Sequence, residues 1–245
     1  MLVLRKLAEI GGASSLGPLA EALETHPAKL HRYLVSLKNS SLVYQEQISG
    51  RYILSHEAIV IGLAAMRQAD VLTLSLPELK ALTEKHKVSC FIAIPGNAGP
   101  TIMKWEDPVH AVVVNVRPGS VMPILWSATG RVYAAFQTSP EITTMVRQAL
   151  KNASPAQRVF LNSMKSVTAM LTEIRMNGCA SICDVMLPGI SAHAAPIFDH
   201  SKKLVGVLTV LGTSGQIDPN PYGALARDLI DRAKNISSRL GFHGT

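Results

Sequence analysis

The sequence predicts an α+β fold in two parts, a small helical head closed by a hairpin and a larger antiparallel sheet with flanking helices. Three observations carry that expectation. Short amphipathic stretches with their own stop signals open the chain, and apolar strand-like runs separated by Pro-Gly-Asn and Asp-Pro turns follow beyond residue 88. The strands come in groups between helices instead of alternating with them one by one, which favours an antiparallel sheet over a Rossmann arrangement. At 245 residues, with 47% hydrophobic and 17% charged, the chain can bury a core in each part and is not disordered throughout.

The head is legible element by element. Leu4, Leu7 and Ile10 recur at three-residue spacing before Gly11-Gly12, a helix and its stop. Ser14-Ser15 offers an N-cap to a second helix with Leu16, Leu19, Ala20 and Leu23 on one face, and Pro18 is tolerable there as a first-turn residue. A third helix starts near Pro27, turns Leu30, Leu34 and Leu37 inward, and ends at Asn39-Ser40-Ser41. Leu42-Val43-Tyr44 and Arg51-Tyr52-Ile53-Leu54 then flank a polar turn with Gly50, the pattern of a hairpin. Three short helices and a hairpin make a winged helix-turn-helix, assigned to residues 1–54.

That layout suggests what the exposed residues do. With the leucines buried, Ala28, Lys29, His31, Arg32 and Ser36 point outward from the third helix, which would enter a DNA major groove. Lys29 and Arg32 can reach phosphates or a guanine edge, Arg51 on the wing can reach a neighbouring phosphate, and Tyr52 beside it is a further candidate DNA contact. The alternative is an ordinary solvated helix face. The formal charge of +7 fits a polyanionic partner, but residues 1–70 hold seven cations against six anions, so the case rests on placement and not on total charge.

Ser55 to Gln68 reads as a helix with a broad apolar stripe, Ile59, Ile61, Leu63, Ala65 and Met66, suited either to a linker helix making a dimer contact or to burial within one subunit. Residues 55–70 are assigned as this linker and 71–245 as the second domain. There a helix is expected over Leu72–His86, then strands Cys90–Ile94, Thr101–Trp105 and Ala111–Val116. Helices about Pro140–Leu150 and Ser163–Asn177, a strand pair Ser191–Phe198 and Leu204–Leu211 turning at residues 199–202, and a last helix about Asn220–Leu240 complete it.

Three places in this domain carry candidate pocket chemistry. Asn115 interrupts the apolar run AVVVNV, where an amide either faces a pocket or finds solvent or a backbone partner. Ser127-Ala128-Thr129-Gly130 precedes a helix-like stretch, Arg131 to Gln137, whose backbone N–H groups suit a carboxylate; the same residues also make a plain tight turn. Asp184 lies in a loop rich in Met186, Leu187 and Pro188, an apolar lid.

Other classes find less support. Three cysteines argue against a disulfide framework and suit a reducing cytoplasm; no Cys or His pairs stand at zinc spacing, so neither metal nor cofactor is expected. The longest apolar run, Ala58 to Met66 around Gly62, is far short of the roughly 20 residues of a membrane span, and no signal-peptide pattern opens the chain, so no membrane contact is expected. Ser191, His193 and Asp184 supply the letters of a hydrolase triad, the alternative being a small-molecule hydrolase or lyase, but Ser191 and His193 alternate in a strand without a nucleophile turn. A sensor acting through protein contacts without DNA is a further alternative.

The chain resembles the IclR family of bacterial transcription regulators. The resemblance is carried by HRYLVSLKNSSLV at His31–Val43, GRYIL at Gly50–Leu54, PILWSATGR at Pro123–Arg131 and LPGISAHAAPIFDHSKKLVGVLTVLG at Leu187–Gly212. Two departures concern DNA preference: Glu24 stands where many members have a glycine, and Ala28-Lys29 where a Ser-Thr pair is frequent. The resemblance implies a GAF-like effector-binding domain, a homodimer or homotetramer, double-stranded DNA as partner and no catalysis. It also implies effector contacts at Asn115, at Thr129 and Gly130, near Ile182 with Asp184 as a possible substitute acid, and at Thr209 and Leu211. Met122, Trp126, Ala192 and Leu211 make that lining more apolar than a small keto acid needs, which favours an aromatic or larger amphipathic carboxylic acid.

Overall fold

A computed structural model describes residues 2–110 and 114–244. The chain divides into two compact units, Met1–Gln68 and Ala69–Thr245. In the first, α1 (Leu2–Glu9) leads through Gly11 and Gly12, both at positive φ, into β1 (Ala13–Ser14). Next come α2 (Leu16–Ala22), α3 (Pro27–Asn39), β2 (Val43–Gln45), β3 (Tyr52–Leu54) and α4 (His56–Gln68). Ser15 takes the N-cap position of α2 without a side-chain capping bond, whereas His26 caps α3 through Nδ1, which accepts from the Ala28 N–H at 3.3 Å. Glu24, between α2 and α3, sits at φ +49°, the left-handed backbone that a glycine adopts without strain.

The small sheet has the order β1-β3-β2, with Tyr52 opposite both Ser14 and Gln45. β1 is an addition to the expected hairpin, since two residues give no alternation to detect. Leu7, Leu19, Leu30, Leu34, Val43 and Tyr52 form the core, where helix and hairpin meet.

In the second unit α5 (Val71–His86) is capped by Asp70, whose carboxylate accepts from the N–H groups of Leu72 and Thr73 at 3.2 and 3.0 Å. Then follow β4 (Ser89–Gly96), β5 (Gly99–Glu106), α6 (Ala128–Phe136), α7 (Pro140–Lys151), α8 (Pro155–Phe160) and α9 (Met164–Asn177). The chain ends with β6 (Ala180–Cys183), β7 (Ile190–Phe198), β8 (Leu204–Thr213) and α10 (Ala224–Arg239). The sheet order is β5-β4-β8-β7-β6, every neighbour antiparallel.

Both faces are covered, which is why these strands read as continuous apolar runs and not as alternations. Phe91, Ala93, Ala194, Val207 and Leu211 pack with α6, α7 and α9 residues on one face, while Cys90, Ile92, Ile197, Leu208 and Val210 pack with those of α5 and α10 on the other. Three expectations need correction. Residues 114–116 are irregular and not a strand, and residues 111–113 lie outside the described residues. β6 is a strand where only a loop was expected, and α8 is an additional helix.

Candidate functional site

The leucine spacing of α3 sorts its residues into a buried and an exposed side as expected. Ala28, Lys29, His31, Arg32 and Ser36 are exposed, while Leu30 and Leu34 on the same helix are fully buried. Tyr33 and Val35, which sequence reasoning passed over, share that exposed edge. Arg51 is exposed on the wing, whose tip carries a completely exposed Ile48. Gln45 ties the wing to the end of α3: its side chain donates to the Gly50 carbonyl at 3.1 Å and accepts from the Lys38 ammonium at 3.3 Å. Tyr52 is a correction. Its β3 register turns it into the core at 3% exposure, so its ring holds the wing down and is not offered outward.

The second unit holds a small pocket of about 40 Å³ between the sheet and the start of α6. The sheet contributes Phe91, Ala192, Thr209 and Leu211, and α6 with its approach contributes Met122, Ser127, Ala128 and Thr129. Val114 and Val116 close one side; Ile182, Met186, Leu187 and Ile190 close another. Thr129 and Thr209 bond hydroxyl to hydroxyl at 2.9 Å, both buried. Ser127 caps α6, accepting from the Gly130 N–H at 2.9 Å and donating to the Pro123 carbonyl at 2.7 Å. The remaining lining is apolar, and Phe91 is backed by a parallel stack with Trp105 at 5.1 Å.

Of the expected effector residues, Met122, Thr129, Ile182, Ala192, Thr209 and Leu211 line this cavity. Four others do not. Asn115 is exposed, and residues 114–116 form no strand. Gly130 is a packing residue: a Cβ there would lie 2.1 Å from the Pro123 carbonyl oxygen. Trp126 is buried in the surrounding core. Asp184 holds a turn, accepting from the Gly189 N–H at 2.7 Å and the Ser214 hydroxyl at 2.8 Å, and these bonds, Ser214 first, hold its carboxyl below the usual range. Phe91 could have been found from its register opposite Thr209 had the strand pairing been known.

The hydrolase triad comes apart in space. The Ser191 hydroxyl donates to Ser214 at 3.0 Å, while His193 bonds Ser181 through Nδ1 at 2.6 Å and the Asp218 carbonyl through Nε2 at 2.8 Å. His193 is fully buried, and desolvation lowers its pKa, so it is a neutral core histidine. Burial likewise pushes Cys90 up to about 12 and Cys179 up to about 11, far from nucleophilic thiolates. Among the described residues no three His, Cys, Asp or Glu side chains gather as metal ligands, and no single helix is long and apolar enough to cross a membrane.

Comparison with known proteins agrees with the geometry. The family model described as the bacterial transcriptional regulator IclR C-terminal matches residues 63–238. The crystal structure of Pseudomonas aeruginosa HmgR superposes with a TM-score of 0.88 at 35% identity, covering 99% of this chain and 96% of that one. Agrobacterium tumefaciens repressor BlcR shares the fold with a TM-score of 0.80 at 14% identity, over 99% and 96% of the two chains. Among curated relatives, the Escherichia coli K12 DNA-binding transcriptional repressor YiaJ is 22% identical over 243 residues, 99% of this chain and 86% of its own length. The Klebsiella pneumoniae HTH-type transcriptional repressor AllR is 23% identical over 241 residues, 98% and 87% of the two. The chain therefore belongs to the IclR family, a DNA-binding transcription regulator and not an enzyme.

Proposed function

We propose that this regulator reads duplex DNA with the outer edge of α3, and that an aromatic or larger amphipathic carboxylic acid in the sheet cavity controls that binding. Residues 1–54 are assigned to DNA reading, 55–70 to a linker helix and 71–245 to effector sensing. The observation that carries the DNA reading is the two-sidedness of α3: Lys29, His31 and Arg32 are exposed while Leu30 and Leu34 are buried. Such an edge suits a major groove, with Arg51 near a flanking phosphate.

The effector chemistry is supported by a lining that is apolar apart from Ser127, Thr129 and Thr209. Phe91 and Leu211 offer flat and branched apolar surface to a ring, while the two threonine hydroxyls and the start of α6 suit a carboxylate. Ile59, Val60, Ile61, Leu63 and Met66 of α4 are exposed large apolar residues, which supports a homodimer, with pairing into a tetramer as a further step. The repressors among the named relatives support repression, relieved when effector binding favours an arrangement of the DNA-reading units that fits the half-sites less well.

Mobility shift on the DNA upstream of the regulator's own gene, run across a salt series, tests the DNA reading. Binding is expected to fall steeply with salt, and Arg32→Ala to lose roughly 1–3 kcal/mol of affinity. A flat salt response with unchanged binding by Arg32→Ala overturns it. For the effector, calorimetric titration is expected to show phenylacetate binding more tightly than glyoxylate; the reverse order overturns the aromatic reading.

A further inference from the structure

We propose that Asp184 and Ser214 form a latch that holds the apolar lid of the cavity shut, and so set how readily an effector enters. The proposal rests on the reading of this cavity as the effector site. The lid is the connection from β6 to β7, residues 184–189. Its middle carries Met186 and Leu187, which close the cavity. Its ends are the turning points, Asp184 at φ +56° and Gly189 at φ +78°.

The small volume requires a wall outside the strands and helices to yield before a ring can enter, and the lid, with the Val114 and Val116 side, is such a wall. About 40 Å³ holds little more than water, whereas a benzene ring occupies a cavity of roughly 150 Å³. The sheet side of the cavity is formed by Phe91, Ala192 and Thr209 on paired strands, and the α6 side is fixed by the Ser127 cap and the contact of Gly130 with Pro123. Met186 packs partly buried against the core, but it and Leu187 sit in no strand or helix. Two backbone bonds close the segment, Asp184 N–H to the Ile190 carbonyl at 3.1 Å and Ile190 N–H to the Leu187 carbonyl at 3.2 Å, and Leu187 is more than a third exposed.

What ties the lid to the frame is concentrated at its two ends. A single carboxylate oxygen, Oδ1 of Asp184, accepts from the Gly189 N–H at 2.7 Å and from the Ser214 hydroxyl at 2.8 Å. Ser214 stands just past β8, the strand that carries Thr209 and Leu211 into the cavity. Its backbone N–H donates to the Gly189 carbonyl at 2.8 Å, and its hydroxyl accepts from the fully buried Ser191 at 3.0 Å. The chain Ser191 to Ser214 to Asp184 therefore runs from the interior of the sheet to the hinge of the lid. An acid that lifts Met186 and Leu187 works against this charge-assisted bond, so the free energy of unlatching is subtracted from the effector's affinity.

A role as a direct effector contact makes the opposite prediction for Asp184. The test uses the full-length protein, Ser214→Ala and Asp184→Asn, with hydrogen exchange of the 184–190 segment read by mass spectrometry and phenylacetate titrated by calorimetry. Both variants are expected to exchange faster in that segment with α6 unchanged, and to bind phenylacetate about three- to tenfold more tightly, the range that one hydrogen bond commands. Unchanged exchange in Ser214→Ala, or weaker phenylacetate binding in either variant, overturns the latch; a general structural defect gives the second of these. Faster exchange with no phenylacetate binding to any form, the wild type included, overturns the aromatic-acid reading and leaves the latch standing.

Discussion

The two units place their candidate site residues on opposite sides of their packing. In the first, α3 turns Leu30 and Leu34 into a small core and leaves Lys29, His31 and Arg32 outside. In the second, the sheet buries both faces and the cavity is a gap left inside one of them, bounded by Thr129, Thr209, Leu211 and their neighbours. A surface site is thus the complement of the core and can be read by subtraction along one helix. An interior site is made by residues far apart in the chain, and its shape depends on how strands pair.

Perturbations that separate the units sharpen this contrast. The largest effect is expected from Leu34→Ala, which empties a fully buried position in the smaller core and should cost about 3–5 kcal/mol in the unfolding of the first unit. Differential scanning calorimetry should show that loss while phenylacetate binding by the second unit persists; a parallel loss of phenylacetate binding breaks the contrast. Gly130→Ala acts the other way. The added methyl meets backbone at Pro123 and Ile124, so the second unit should lose about 1–3 kcal/mol with its phenylacetate binding, and the first unit's transition should stay in place.

The smallest effect is pH dependence through His193. Its folded pKa lies below the unfolded value of about 6.5, because burial disfavours the imidazolium. The stability that the neutral ring contributes is therefore complete above about pH 6.5 and is lost as pH falls through the depressed folded pKa. His193→Gln, which cannot titrate, should show a smaller drop in the second unit's melting temperature between about pH 7 and pH 5 than the wild type does. An equal drop assigns the acid sensitivity to other groups.

Much of the fold was legible because helices announce themselves by spacing and caps. Pro27, Pro140 and Gly178 stand at the helix ends where such residues belong. β1 and β6 were not legible because only pairing with β3 and β7 makes them strands, whereas β2 and β3, three residues each, are flagged by the polar turn with Gly50 between them. The site divides in the same way. The exposure of Lys29 and Arg32 follows from the leucine spacing, but nothing local to Tyr52 says that its register buries it. Asn115 looked like a strand amide because its apolar neighbours suggested a strand, and Asp184 looked like a ligand contact because its hydrogen-bond partner lies 30 residues further on. Phe91 and Thr209, by contrast, could be joined only after the β4–β8 register was known.

The anchoring of the wing through Tyr52 has a consequence for target choice. On the proposed DNA reading, a hairpin sewn into its own interior and clipped to α3 by Gln45 would yield little on docking. Misfit must then be absorbed by the double helix, through bending or a change in groove width. Operators whose base steps already favour that shape would be preferred even at positions no side chain reaches.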